Sequence, residues 1–312
     1  MPAERVSMEV ALVGLDLSKV SDFLVDWLPY LMRVGTATLI LAHVIPVEKL
    51  EHVAGGYPVD KLEKELIEEA LKKLEEYARR LREKGFTVEV PRPVIGDPAP
   101  TLALLAEKHR ADYIVVGSRG KGWLRSILLG STAEELANIS RHTVLVAKEF
   151  KKSKGPQGGH YLGAVGDPFK GPVVAAVDLG EYTDIVMAYA ALIGSKTGAQ
   201  VLVMHVMEPG EDRDTVKEKV KSLVEDLKRL EVNAEPLIVE GNKPGKKIVE
   251  EATRLGASLI IVGPGVKKES ILLGTTSEIV VRRFKGHVLV AKKYEWAYMA
   301  AREQGIVTDT TG

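Results

Sequence analysis

Cysteine is absent from the 312-residue chain. That excludes disulfide staples, thiolate catalysis and Cys-ligated zinc or iron–sulfur centres, and it favours a reducing compartment. An excess of positive charge is missing too, since Lys+Arg and Asp+Glu are both 43. Without a broad positive field, neither DNA nor RNA is an expected partner. No apolar run approaches the roughly 20 residues that span a bilayer. The N-terminal Met1-Pro2-Ala3-Glu4-Arg5 carries no signal-peptide apolar region. The expectation is a cytoplasmic protein with no membrane partner. Recognisable catalytic sets are lacking as well: no Ser–His–Asp order, no metal-ligating helix pair and no duplicated carboxylate pair stands out. What remains is a chain long enough for two domains of roughly 150 residues, each able to bury about 70% of its unfolded surface.

The most informative segment starts with the apolar run Tyr113-Ile114-Val115-Val116, which reads as a buried parallel strand. It runs into Gly117-Ser118-Arg119-Gly120, and nine residues later into Gly130-Ser131-Thr132. Glycines after a strand let the backbone turn sharply and approach an anion, and a helix opening at Gly130 aims its first N–H groups at the same place. This is a phosphate-cradling layout, with a nucleotide as the natural guest. Lys121 does not complete G-x-x-x-x-G-K-[ST], and Gly117, Gly120 and Gly122 do not fit G-x-G-x-x-G. Arg119, Lys121 and Arg125 are available to neutralise phosphate.

The device recurs as Ile261-Val262-Gly263-Pro264-Gly265, eight residues, then Gly274-Thr275-Thr276. Sliding the chain on itself matches two further landmarks. Strand one ends in Asp16 in the first copy and Asp178 in the second, and strand two ends in His43-Val44 and His205-Val206; both pairs lie 162 residues apart. The offset falls to 146 for Gly117 and Gly263 and to 144 for Gly130 and Gly274, so the first copy carries a longer insert between strands two and four. Both copies close alike, with an apolar strand after His142 and after His287, which suggests paired structural roles for these histidines and for His43 and His205.

Hydrophobic strands alternating with helical patterns predict an α/β fold, two tandem doubly wound parallel sheets of five strands each. Helices are expected over residues 20–34, 60–84, 98–109 and 132–139, then 183–197, 215–230, 244–255 and 276–284. The domain reading is a first copy at 1–150, a Lys-, Gly- and Pro-rich linker at 151–171, a second copy at 172–293 and a tail at 294–312. Exposed last strands invite pairing, so residues 144–148 and 288–292 are expected to join the copies within one chain as a pseudo-dimer, with association into a homo-oligomer through other faces left open.

Asp16 and Asp178 fall at the carboxyl edge of the sheet, where open α/β sheets bind ligands. Either carboxylate suits a hydrogen bond to base or ribose, help in holding a phosphate-bound Mg²⁺, or a helix cap. In the second copy Pro264 removes a backbone N–H from the loop and the spacing is one residue short, so its cradle is expected to be the weaker site. Lys267 and Lys268 lie just past that loop and offer compensating charge.

With Gly117, Gly120, Gly130 and Ser131 in a G-x-x-G, nine-residue, G-[ST] signature, the chain resembles a tandem universal stress protein of the adenine-nucleotide-binding type. The ends of strands one and two and the Gly96-Asp97-Pro98 turn also fall where that family has them. The resemblance implies the adenine nucleotide alpha hydrolase-like, Rossmann-like fold and ATP with Mg²⁺ or Mn²⁺. By it, Asp16 and Val44 flank adenine and ribose, Gly117, Arg119 and Gly120 wrap ribose and phosphates, Gly130, Ser131 and Thr132 hold phosphate, and Leu15 and Val116 also belong to the nucleotide-binding set. The second copy offers Asp178, Val206, Gly263, Gly265, Gly274, Thr275 and Thr276, with Val266 where the second glycine belongs. The implied function is a cytoplasmic, stress-associated ATP-binding regulator with little or slow turnover. A nucleotide-using enzyme, hydrolysing ATP slowly or transferring adenylyl groups, and a nucleotide-free scaffold are the alternatives.

Overall fold

The computed structural model describes residues 6–48, 59–118, 130–148, 150–154, 160–164, 166–265 and 273–293. Arg119, Gly120, Lys121, Arg125, Val266, Lys267, Lys268, most of the expected insert before residue 59 and the tail at 294–312 lie outside the described residues.

In the first copy the chain runs β1 (Val10–Gly14), α1 (Lys19–Trp27), β2 (Thr38–Ala42), β3 (Val44–Ile45), α2 (Val59–Arg82), β4 (Thr87–Glu89), β5 (Val94–Ile95), α3 (Pro98–Lys108), β6 (Tyr113–Gly117), α4 (Ser131–Ile139) and β7 (Thr143–Ala147). A hairpin of β8 (Phe150–Lys154) and β9 (His160–Ala164) follows. The second copy runs β10 (Val173–Ala176), α5 (Thr183–Thr197), β11 (Val201–Met207), α6 (Arg213–Arg229), β12 (Ala234–Glu240), α7 (Pro244–Arg254), β13 (Leu259–Val262), α8 (Thr275–Arg283) and β14 (His287–Val290).

Strand order is β12-β11-β10-β13-β14-β7-β6-β1-β2-β4. Each half is parallel and doubly wound, and the halves meet in one antiparallel ladder, Val288 to Val146, Leu289 to Leu145 and Val290 to Val144. The two five-stranded sheets are therefore one continuous ten-stranded sheet. Alternation along the strands splits the core. Ala11 and Val13 join a cluster with Leu74, Tyr77 and Leu81 of α2, Tyr189 of α5 and Val220 of α6. Leu12 joins the opposite cluster with Leu102 of α3, Leu136 of α4, Ile248 of α7 and Val280 of α8. Both faces being covered explains why the strands read as unbroken apolar runs.

Two expectations need correction. The helix expected over 20–34 breaks into α1 and a 3₁₀ segment, Leu28–Val34, because Pro29 lacks the N–H and the space that a continuing α-helix needs. Strand two is continuous in β11 but divided at His43 in the first copy: β2 pairs with β4 and β3 with β5. Pro91 and Pro93 stand between β4 and β5 and cannot donate to a ladder. The stretch expected to be a linker holds most of the β8–β9 hairpin. Its exit is pinned to both copies, with Trp27 Nε1–H donating to Gly166 O at 3.2 Å and Ser258 Oγ–H to Pro168 O at 2.7 Å.

The junction is closed by terminal residues of the last strands. The Lys292 N–H donates to Thr143 Oγ1 at 3.0 Å, and the Lys148 N–H to His287 Nδ1 at 3.2 Å. Tyr113 pairs with Thr143 as Leu259 pairs with His287. His287 is thus the counterpart of Thr143 and not of His142, which corrects the expected pairing of those two histidines. The Lys148 ammonium caps Val281 O, in a short contact, and Phe284 O at 2.9 Å, whereas buried Lys292 Nζ has no partner among the described residues.

Candidate functional site

Two matched cavities open at the carboxyl ends of the strands. The first, of about 290 Å³, is lined by Leu15, Asp16, Val44, Val116, Gly117, Gly130, Ser131 and Thr132. All of these are residues that sequence reasoning selected; Arg119 and Gly120 lie outside the described residues.

Asp16 is held by a tight local turn. The following Leu17 takes a left-handed φ of 57°, a conformation costly for a branched side chain, and its counterpart Leu179 takes 58°. That turn brings the Ser18 N–H to Asp16 Oδ1 at 3.0 Å, and the Ser21 hydroxyl donates to the same oxygen at 2.8 Å. The cap of α1 is Ser18, whose Oγ accepts from the Val20 N–H at 3.2 Å. Asp16 is therefore not spent on capping, and its Oδ2 is buried with no partner among the described residues. His43 Nδ1–H donates to Leu15 O at 2.6 Å and ties the end of β2 to the turn after β1. Asp16 and His43 also line a neighbouring cavity of about 430 Å³ against α2.

The opposite end is the start of α4. Its N-cap is Gly130, at φ −66° and ψ 141°, and no side chain caps it. The first-turn N–H groups of a helix have no intrahelical partner, so this end is suited to an anion. The loop is drawn shut by the Gly130 N–H, which donates to Ser118 O at 2.7 Å. Leu15, Val44, Pro46, Pro98 and Leu102 supply an apolar wall. Sequence reasoning missed Pro46 and Leu102, whose place on the wall depends on how β3 and α3 pack. Gly14 permits that packing, since a Cβ there would sit 2.9 Å from Leu102 Cδ1.

The second cavity, of about 370 Å³, is lined by Asp178, Val206, Gly263, Gly265, Gly274, Thr275 and Thr276. Its loop closes in the same way, with the Gly274 N–H donating to Pro264 O at 2.5 Å. Gly265 has φ 79°, and a Cβ on it would meet Gly274 Cα at 2.8 Å, so glycine is required there twice over. The expectation that Pro264 removes a phosphate donor is overturned. In the first copy the equivalent N–H, that of Ser118, donates to Ala147 O at 2.8 Å and serves the sheet. Proline costs the second copy a strand-edge bond and not a phosphate contact.

The linings also differ. Tyr182 replaces Val20, Ser277 replaces Ala133 and Glu208 replaces Pro46. His205 repeats the bond of His43, its Nδ1–H donating to Val177 O at 2.9 Å, and its Nε2 lies 3.3 Å from both carboxylate oxygens of Glu211. The Glu208 N–H, first, and His205 hold the Glu211 carboxyl below its usual range. Among the described residues no group of three or more His, Cys, Asp or Glu side chains forms a metal cage, and no helix is long and apolar enough to cross a membrane.

The model of the universal stress protein family matches residues 8–148 and again 171–292. The chain belongs to the universal stress protein family. Its first half is 31% identical over 147 residues to a universal stress protein of Methanocaldococcus jannaschii, MJ0577, covering 43% of this chain and 90% of that one. A Mycobacterium tuberculosis universal stress protein, Rv2005c, is 24% identical over 301 residues, covering 90% of this chain and 96% of the relative. A solved universal stress protein from Archaeoglobus fulgidus superposes with a TM-score of 0.74 at 26% identity, covering 92% of this chain and all of the other. The tandem arrangement of this universal stress protein thus recurs in full-length relatives.

Proposed function

We propose that this universal stress protein is a cytoplasmic, stress-associated regulator that binds ATP in its first cavity and turns it over slowly if at all. One observation carries the reading: the cavity joins the uncapped start of α4 to an apolar wall fit for a flat ring, with Asp16 in its lining and one Asp16 carboxylate oxygen without a partner among the described residues. Gly117, Gly130, Ser131 and Thr132 take phosphate, while Leu15, Val44 and Val116 take ring and ribose. Asp16 suits a Mg²⁺ or Mn²⁺ held mostly by phosphate oxygens and water, in keeping with the lack of a protein cage among the described residues. Arg119 and Gly120 complete the phosphate wrap. The second copy is the weaker ATP site, and through β14 it makes the chain an intrachain pseudo-dimer.

The test is calorimetric titration of the full chain with MgATP, beside a Gly130→Val chain whose side chain blocks backbone approach to phosphate. Tight binding by the parent and at least tenfold loss in the variant is the expected result. Equal affinities would overturn the assignment. Steady phosphate or pyrophosphate release would replace the regulator by an enzyme.

A further inference from the structure

We infer that the second cavity is a nucleotide site of different base specificity, built for guanine and not adenine. The inference rests on the reading that these duplicated cavities take nucleotides. The described part of its cradle keeps the phosphate-facing features: Gly274 starts α8 with no side-chain cap, the loop closes on Pro264 O, and Thr275 and Thr276 line the opening. Among the described residues the anion end is thus built alike in both cavities, on an uncapped helix start behind a closed loop. The ring end is not.

The ring end lies at the exit of β11, separated from the exit of β13 by β10. Two strand spacings amount to about 10 Å. A nucleotide with its phosphates on α8 thus reaches the β11 exit with its base. In the first cavity the corresponding position is Pro46, whose side chain offers no hydrogen bond. In the second it is Glu208, with Glu211 beside it. Glu211 is already engaged by His205 and the Glu208 N–H. Glu208 lines the cavity and its side chain makes no bond or ion pair among the described residues. A carboxylate accepts and never donates, so it seeks a ligand edge with donors in parallel. Guanine presents N1–H and the N2 amino group side by side, matching both carboxylate oxygens. Adenine places its amino group beside an acceptor, N1, which a carboxylate repels. Asp178, Glu208 and Glu211 do not instead form a cation cage, because no such group occurs among the described residues.

The experiment is calorimetric titration of the full chain with GTP and separately with ATP, in the parent, Gly130→Val and Glu208→Gln chains. Glu208 is exposed, so its replacement leaves the core intact. The expected result is a GTP site that survives Gly130→Val, prefers GTP to ATP at least tenfold, and loses at least tenfold in GTP affinity with Glu208→Gln, whose amide donor opposes the guanine amino group. Absence of GTP binding, its loss in Gly130→Val, or indifference to Glu208→Gln would each overturn the inference. The first cavity fails separately, through ATP binding that Gly130→Val leaves unchanged.

Discussion

Replacing Lys292 by methionine should stabilise the protein at neutral pH. The side chain is 5% exposed, its Nζ has no partner among the described residues, and burial alone pushes its pKa down from 10.5 to about 8. At 1.36 kcal/mol per unit, that displacement is a penalty of about 3 kcal/mol for keeping the ammonium folded. The sign follows from proton binding: between pH 8 and 10.5 the unfolded chain holds a proton that the native chain has released, so stability rises with pH across that window. Below pH 8 the whole penalty applies. Methionine keeps the stem and removes the charge, so Lys292→Met should gain about 1–3 kcal/mol at pH 7, with side-chain repacking absorbing the remainder. It should also flatten the rise above pH 8. Lys148 occupies the matching place but caps Val281 O and Phe284 O across the junction. Lys148→Met should therefore destabilise by about 1.5–3 kcal/mol, the worth of charge-assisted bonds. Urea unfolding followed by circular dichroism at pH 7, 8, 9 and 10 checks both variants. A Lys292→Met chain no more stable than the parent at pH 7, or one that keeps the alkaline rise, would refute the reasoning.

Acid sensitivity should trace in part to His142, buried and with its pKa lowered from 6.5 to about 4 by desolvation. The unfolded chain takes up this proton first, so stability present above pH 6.5 is lost toward pH 4, by about 3 kcal/mol in all; His142→Leu should reduce that loss in unfolding midpoints measured from pH 7 to 4. Gly265→Ala should cost about 1–3 kcal/mol, because φ of 79° and a Cβ 2.8 Å from Gly274 Cα are both unfavourable. Its thermal midpoint should fall while that of Gly241→Ala, where a Cβ meets nothing nearer than 3.5 Å, barely moves.

The duplication, the parallel strands and the place of both cradles were legible because they are local. Unbroken runs such as Tyr113-Ile114-Val115-Val116 reflect burial on both sheet faces, and a glycine after a strand reflects a turn that other residues resist. Breaks in regular structure were legible in principle but underweighted: Pro29 ended α1, and Pro91 with Pro93 split the edge ladder. Sequence alone thus determined two tandem α/β copies, each with Asp16 or Asp178 and a glycine cradle at the carboxyl edge. Only the tertiary structure decided where each donor points. It assigned the Ser118 N–H to Ala147 O, which turned Pro264 from a phosphate defect into a sheet defect. Among the described residues it also left one oxygen of Asp16 and the ammonium of Lys292 without a partner, set Glu208 where the first copy has Pro46, and gave Lys148 two carbonyls. The reason is physical: a residue's type states what it can bond, but the partner is chosen by packing between segments far apart in the chain.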